Sequence, residues 1–345
     1  MKKVRVAING FGRIGRAFFK VAIENENVEI VAVNDLGDIE NLAYLLKYDT
    51  AYGRSGLEPE AHFDGEQGYL HVNGKKVMFL QQREPGLLPW NELDIDIAVE
   101  ATGLFTKYED AKAHLDAGAK RVVISAPAKG DGVEGIETAT ILMGINEDKI
   151  PTCQISSNAS CTTNAASPLI QILNEGLGVE KAILNTVHGY TATQSLVDGP
   201  NKKDWRKGRA AAQNIIPSTT GAAIAVTKAL PELEGKFDGM AMRVPIITGS
   251  IADVTFISKR DTSVEEVNDI MRKASEEAKW DGIFSVTDEA IVSSDIVGGR
   301  FAALADLSFT RVVDGNLVKV VSWYDNEVGY TNALVKQVVA MGQHT

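Results

Sequence analysis

Cysteine is nearly absent: Cys153 and Cys161 are the only two in 345 residues. So few cannot build a disulfide framework, a zinc ribbon or an iron–sulfur site, and they suit a reducing compartment. Long apolar runs are missing too. No stretch reaches the roughly 18 residues a spanning helix needs, and the early run Val6-Ala7-Ile8 is cut by Asn9-Gly10 before a signal-peptide core can form. A cytoplasmic protein with no membrane partner is the expectation. Positive charge is in deficit, with 35 Lys plus Arg against 46 Asp plus Glu and a formal charge of -11. That sign argues against dedicated nucleic-acid binding or attachment to anionic lipid. Repeats, linkers and low-complexity tracts are also lacking. With 44% hydrophobic and 23% charged residues, the whole chain is expected to fold, in two domains at roughly 100–200 residues each.

What is present begins with a change of period. The β-branched run Val4 to Asn9 is followed by a glycine-bearing turn, then by apolar Ile14, Phe18, Val21 and Ala22 at helical spacing, then by the run Glu29 to Val33. Strand, helix and strand in this order make one parallel βαβ unit. Ile95 to Val99 and Arg121 to Ser125 read as further buried strands. Between them, Thr106 to Glu109 reads as a capping box opening a helix to about Ala117. Asn73-Gly74 reads as a tight hairpin turn. From about Ser156 the pattern becomes α+β: a helix from near Thr162, strands at Ala182 to Val187 and Ile251 to Ser258, and a helix capped by Ser263. A last strand, Val318 to Trp323, and a helix over Thr331 to Met341 complete it.

Gly10-Phe11-Gly12-Arg13-Ile14-Gly15 is a GxGxxG between a predicted strand and a predicted helix. Glycines there permit a tight turn, close backbone approach to a pyrophosphate, and close packing of helix on strand. Asp35 lies twenty residues beyond Gly15, where a carboxylate accepts hydrogen bonds from the adenosine ribose and repels a 2′-phosphate. NAD is therefore expected in preference to NADP. Arg13 stands near the pyrophosphate position, although an arginine there reads equally as a surface charge.

The polar run Ser157-Asn158-Ala159-Ser160-Cys161-Thr162-Thr163-Asn164 precedes an apolar helix. It puts Cys161 at a helix N-terminus, where the dipole and free N–H groups are expected to lower the thiol pKa below the ~8.5 of a free cysteine. Cys153 reads as a small buried hydrophobe. Of the five histidines, His62, His71, His114 and His344 fall in polar, exposed-looking stretches, while His188 ends the run Ile183 to Val187. A strand-end imidazole suits a base for a cysteine nucleophile; by pattern alone His188 reads equally as a core or surface histidine. Thr191-Ala192-Thr193 and Ser218-Thr219-Thr220-Gly221 look like hydroxyl-rich phosphate loops. Arg206, Arg209 and Arg243 offer charge-assisted contacts to the same anions.

These residues resemble the phosphorylating glyceraldehyde-3-phosphate dehydrogenases of glycolysis. The resemblance runs through Ala7 to Arg16, Ser157 to Asn164, Asn214-Ile215-Ile216-Pro217 and Trp323-Tyr324-Asp325-Asn326-Glu327, in order and nearly end to end. It implies an α/β protein: a Rossmann-type NAD-binding domain over 1–156, completed by a C-terminal helix in 325–345, plus an α+β catalytic domain with a mixed or antiparallel sheet over 157–324. It implies Cys161 as nucleophile and His188 as base. Gly10, Gly12, Arg13, Ile14, Gly15, Asp35, Arg83, Ser125 and Asn326 would lie near NAD. Thr191 and Arg243 would hold the phosphate of glyceraldehyde 3-phosphate, and Ser160, Thr162, Thr220 and Gly221 would receive attacking inorganic phosphate, with Arg209 near bound phosphate. A homotetramer is implied as well.

Some positions depart from the family pattern. Ala165 stands where many relatives carry a second cysteine, Val328 where an aromatic residue is common, and the segments Gly130 to Thr138 and Gly298 to Phe301 look unusual. The alternative enzyme is an erythrose-4-phosphate dehydrogenase; Thr191 and its Thr-Ala-Thr-Gln surroundings favour the triose substrate. A cofactor-free cysteine hydrolase is opposed by the glycine turn with Asp35, and an RNA-binding protein by the net charge.

Overall fold

The computed structural model describes residues 2–345. The chain divides into two compact units. One comprises the chain up to Ile141 together with Glu147–Ala159 and Leu334–Thr345, the other Leu142–Asn146 and Ser160–Ala333.

The first unit opens with β1 (Val4–Asn9), α1 (Arg13–Ala22), β2 (Val28–Asn34) and α2 (Ile39–Lys47). A short hairpin, β3 (Tyr48–Asp49) and β4 (Gly53–Arg54), leads to the meander β5 (Pro59–Asp64), β6 (Gln67–Val72) and β7 (Lys75–Leu80). Then come β8 (Ile97–Glu100), α3 (Tyr108–Ala111), α4 (Ala113–Asp116), β9 (Arg121–Ile124), β10 (Thr138–Thr140) and β11 (Ile155–Ser157). Nine strands form one sheet in the order β10-β11-β9-β8-β1-β2-β7-β6-β5. All neighbours from β10 to β7 pair in parallel, and β7-β6-β5 pair antiparallel. This is the doubly wound, Rossmann-type arrangement. Strands covered on both faces carry near-continuous apolar runs, and Val6, Ala7, Ile8, Ile97, Ala98 and Val99 are all fully buried. Strand order reverses beside β1, the place where such sheets leave a crevice for a dinucleotide.

The hairpin turn forms as read: Asn73 and Gly74 have φ of 49° and 78° between paired Val72 and Lys75, the two positive angles a tight type I′ connection demands. The helix expected from a Thr106 capping box is different. Its N-cap is Lys107, with no side-chain bond, and it breaks at Lys112 into two single turns. Thr106 and Lys107 are instead tied to Lys129, whose N–H donates to Thr106 O at 2.9 Å.

The second unit contains α5 (Cys161–Leu177) and β12 (Val179–Gly189), followed by β13 (Ile216–Thr219), α6 (Ala222–Ala229), β14 (Phe237–Val244) and β15 (Ser250–Ser258). It continues with α7 (Val264–Ser275), β16 (Phe284–Thr287), β17 (Ala303–Asp306), β18 (Arg311–Val313) and β19 (Leu317–Tyr324); α8 (Val328–Gly342) closes the chain, its residues from Leu334 onward belonging to the first unit. The sheet runs β13-β14-β12-β15-β19-β17-β16, with β18 also on β19. It is mixed: β12 pairs parallel with β14 and antiparallel with β15. Leu184, Thr186 and His188 alternate on the buried side of β12 while Ile183 is exposed, as a two-residue period requires. Helix α5 packs on this sheet and buries Leu169, Ile170 and Leu173 completely, each contributing roughly 1.5–3 kcal/mol.

Candidate active site

The dinucleotide crevice of the first unit is a pocket of about 520 Å³ whose lining includes Gly10, Gly12, Asn34, Asp35, Arg83 and Thr102. The three glycines have different tasks. Gly10 turns at φ 96°, and a Cβ there would lie 2.6 Å from Thr102 N. A Cβ on Gly15 would lie 2.0 Å from Gly10 O, so helix and turn touch through bare backbone. Around Gly12 nothing lies within 4 Å of a built Cβ, leaving room for a pyrophosphate against the backbone. Asp35 follows β2 directly; its Oδ2 accepts from Phe11 N at 2.6 Å and its Oδ1 from Gly37 N at 2.8 Å. The carboxylate is thus pinned to the glycine turn, at the rim that a ribose would share. Ile14, in the first turn of α1, is half-buried. Arg13 turns to Asp49 at 2.9 Å. Ser125 lies just past β9, with its N–H on Glu100 O at 2.9 Å.

In the second unit, Ser160 caps α5 by accepting from Thr163 N at 3.1 Å, which fixes Cys161 as the first helical residue. Cys161 Sγ lies 3.3 Å from His188 Nε2. On the other side of the ring, Nδ1 lies 2.6 Å from Gly189 O. The Gly189 carbonyl only accepts and so calls for a proton on Nδ1, whereas Arg243 Nη1, 2.8 Å from the same nitrogen, only donates; with the proton on Nδ1 toward the shorter contact, Nε2 turns its lone pair to the sulfur. Arg243 stands opposite His188 in the β12–β14 register. Its Nη1 donates to Gly189 O at 3.1 Å and lies 2.8 Å from Nδ1. Arg243 Nε is buried without a partner, an orphaned cationic donor beside the imidazole.

Burial and the Arg243 charge lower the His188 pKa to about 3. The Cys161 thiol is pushed up, contrary to the expectation from its helix position. Loss of water around the sulfur outweighs Arg243 and the hydrogen bonds of the first helical turn, which act in the opposite direction. Both shifts favour the uncharged form of their group. Cys153 is buried, with its thiol pushed up to about 11, an inert core sulfur as read from the sequence.

The expected phosphate ligands are placed unevenly. Thr162 Oγ1 is 2.8 Å from Tyr324 Oη, and Thr191 Oγ1 is 2.9 Å from Thr193 Oγ1. Thr220 Oγ1 accepts from Ala222 N at 3.1 Å, and Gly221 is the N-cap of α6. Arg209 pairs with Asp198 at 2.9 Å on the exposed surface. Asn326 is buried and its Oδ1 accepts from Ser250 Oγ at 2.9 Å.

Two features escaped sequence reasoning. Tyr324 is buried with its hydroxyl 2.7 Å from Thr186 Oγ1 as well as on Thr162, and its ring stands edge-on to His188 at 5.9 Å. It ties the start of α5 to the strand carrying His188. His114, expected in an exposed stretch, is fully buried behind the dinucleotide pocket.

A doubly wound sheet with a glycine turn and ribose-directed carboxylate, in a chain that also pairs a cysteine with an imidazole, defines an NAD-dependent oxidoreductase. Residues 4–108 match the family described as glyceraldehyde 3-phosphate dehydrogenase, NAD binding domain, and residues 160–326 match its C-terminal domain. The chain is 47% identical over 342 residues to the glyceraldehyde-3-phosphate dehydrogenase of Streptomyces coelicolor, covering 98% of each. It is 48% identical to that of Geobacillus stearothermophilus, covering 96% of each. Against glyceraldehyde-3-phosphate dehydrogenase 2 of Kluyveromyces marxianus it is 45% identical, covering 97% of this chain and 98% of the relative. The chain belongs to the glyceraldehyde-3-phosphate dehydrogenase family.

Proposed function

We propose that this protein oxidises D-glyceraldehyde 3-phosphate with NAD and inorganic phosphate to 1,3-bisphosphoglycerate, with Cys161 as nucleophile and His188 as base. The observation that carries the reading is the 3.3 Å approach of Cys161 Sγ to a ring nitrogen whose opposite nitrogen is held by Gly189 O. Cys161 sulfur attacks the aldehyde carbon as its proton passes to His188 Nε2, and Nε2 gives that proton to the former carbonyl oxygen, leaving a neutral hemithioacetal and a neutral imidazole. Bound NAD supplies the hydride acceptor. As hydride departs, the hemithioacetal hydroxyl gives its proton to His188 Nε2 and a thioester remains on Cys161. An oxygen of inorganic phosphate then attacks the thioester carbonyl, the C–S bond breaks, and the acyl phosphate leaves with the sulfur free again.

Arg243 supports the substrate phosphate. Its orphaned Nε and its register position beside His188 suit a dianion on the same wall as the imidazole. Thr191 joins it, while Ser160, Thr162, Thr220, Gly221 and Arg209 serve inorganic phosphate, the amides at the starts of α5 and α6 adding to the hydroxyls. In the second unit Asn326, whose Oδ1 is already engaged, has its amide N–H₂ for the cofactor; in the first unit Gly10, Gly12, Arg13, Ile14, Gly15, Asp35, Arg83 and Ser125 are the cofactor residues. We assign NAD binding to residues 1–156 with 325–345, and catalysis to 157–324. Exposed Ile183, Ile224, Val197 and Trp205, the last 86% accessible, favour a homotetramer, and two free thiols suit the cytoplasm.

The test is NADH appearance at 340 nm with glyceraldehyde 3-phosphate, with and without inorganic phosphate. Phosphate-dependent turnover, weaker with erythrose 4-phosphate, is expected. Equal rates without phosphate, or a preference for the tetrose, would overturn the assignment.

A further inference from the structure

Behind the dinucleotide pocket a buried hydrogen-bond chain crosses the ends of three strands. Trp90, His114, Glu100, Asn9 and Asn34 are all under 5% exposed. Trp90 Nε1 donates to His114 Nδ1 at 3.0 Å. An indole N–H can only donate, so the proton of His114 sits on Nε2, which donates to Glu100 Oε2 at 3.1 Å. The same oxygen accepts from Asn9 Nδ2 at 2.6 Å. Glu100 Oε1 accepts from Thr102 N at 2.8 Å and from the Thr102 hydroxyl. Asn9 Oδ1 in turn accepts from Asn34 Nδ2 at 2.7 Å, and Asn34 Oδ1 from Gln82 N at 2.8 Å.

Every donor has a direction, so no amide in the chain has a free choice of flip. Both oxygens of Glu100 are filled, and none of the four donors is a lysine or arginine. A buried carboxylate held this way gains little over apolar packing of the same volume, which makes its placement the informative point. Four of the residues it organises, Asn9, Asn34, Gln82 and Thr102, line the pocket. Its two oxygens clasp two adjoining segments of the pocket wall: Asn9, just before the glycine turn, and Thr102, whose amide would lie 2.6 Å from a Cβ on Gly10.

We propose that Glu100 and His114 are positioning residues for the dinucleotide, holding the Asn9–Gly10 turn and the Thr102 loop at the separation the cofactor needs. The inference rests on the reading of this pocket as the NAD site. It is a supporting shell that acts through Asn9 and Thr102.

The test uses the full-length protein at 25 °C. Calorimetric titration of the wild type with NAD checks the pocket reading by itself; no binding there would remove the reading and this inference together. Glu100→Gln puts an N–H₂ against existing donors, and its Kd for NAD is expected to rise about tenfold or more. The rate of Cys161 alkylation by iodoacetamide and the KM for glyceraldehyde 3-phosphate should stay within about twofold. His114→Gln, which keeps a donor and an acceptor, should recover most of the affinity that His114→Leu loses. Trp90→Phe, a milder change should Glu100→Gln fail to fold, removes the far donor and should raise the Kd about threefold. Were folded Glu100→Gln, or Trp90→Phe in its place, to bind NAD like the wild type with only a lower Tm, the chain would be plain core and the proposal wrong. Equal losses of affinity and alkylation rate would also refute it, as general damage.

Discussion

Acidification offers a direct measure of the buried imidazole. His188 is 2% exposed, and burial followed by the Arg243 charge holds its pKa at about 3. In the unfolded chain a histidine titrates near ~6.5. Below that pH the unfolded state binds a proton that the folded state refuses, so stability falls as pH drops through the window from about 6.5 to about 3. The slope is about 1.4 kcal/mol per pH unit, and moving from pH 7 to pH 5 should remove about 2 kcal/mol through this residue alone. His188→Asn has no such titration. Urea unfolding of wild type and variant at both pH values, at one fixed protein concentration, isolates the effect. The stability difference, wild type minus variant, should shrink by about 2 kcal/mol at pH 5. A difference constant to within about 0.5 kcal/mol, or one that grows on acidification, would mean the imidazole is not held neutral by its surroundings.

Three further outcomes are expected. Cys161→Ser should abolish aldehyde oxidation while calorimetry still detects NAD binding; residual phosphate-dependent turnover would end the covalent scheme. Asp35→Gly should weaken NAD and narrow the ratio of kcat/KM for NAD over NADP, because the carboxylate pinned at the pocket rim is removed; an unchanged ratio would show that selection lies elsewhere. Tyr324→Phe deletes a buried hydroxyl shared by Thr162 and Thr186. It should cost about 1–3 kcal/mol in chemical denaturation and slow alkylation of Cys161; wild-type stability would show that the bridge is idle.

Most short-range signals in the chain were good guides, the Thr106 capping box excepted. The βαβ opening, the Asn73-Gly74 turn and the Ser263 cap all rest on residues within a few positions of one another, and period or capping chemistry exposes them. The strand Phe237–Val244 went unread because only Phe237 and Ala241 are buried and glycine and methionine interrupt the alternation, yet its register delivers Arg243 to His188. Tyr324 meets Thr162 across 162 positions and Trp90 meets His114 across 24, separations at which no local pattern speaks. His114 misleads for the same reason: in sequence it lies among Asp110, Lys112 and Asp116, while its partners in space are Trp90 and Glu100. For Cys161 the residue was legible and its ionisation was not, since dehydration of the sulfur depends on packing that helix position alone does not fix.

The three glycines of the turn part company once variants are considered. Side chains at Gly10 or Gly15 collide with the protein's own backbone, so such variants should accumulate as misfolded material. Gly12 has ordinary angles, φ -68° and ψ -159°, and open space beside it. Gly12→Ala is therefore expected to fold as the wild type does and, with Gly12 at the cofactor as proposed, to lose NAD binding, which makes it a negative control for the binding measurements above.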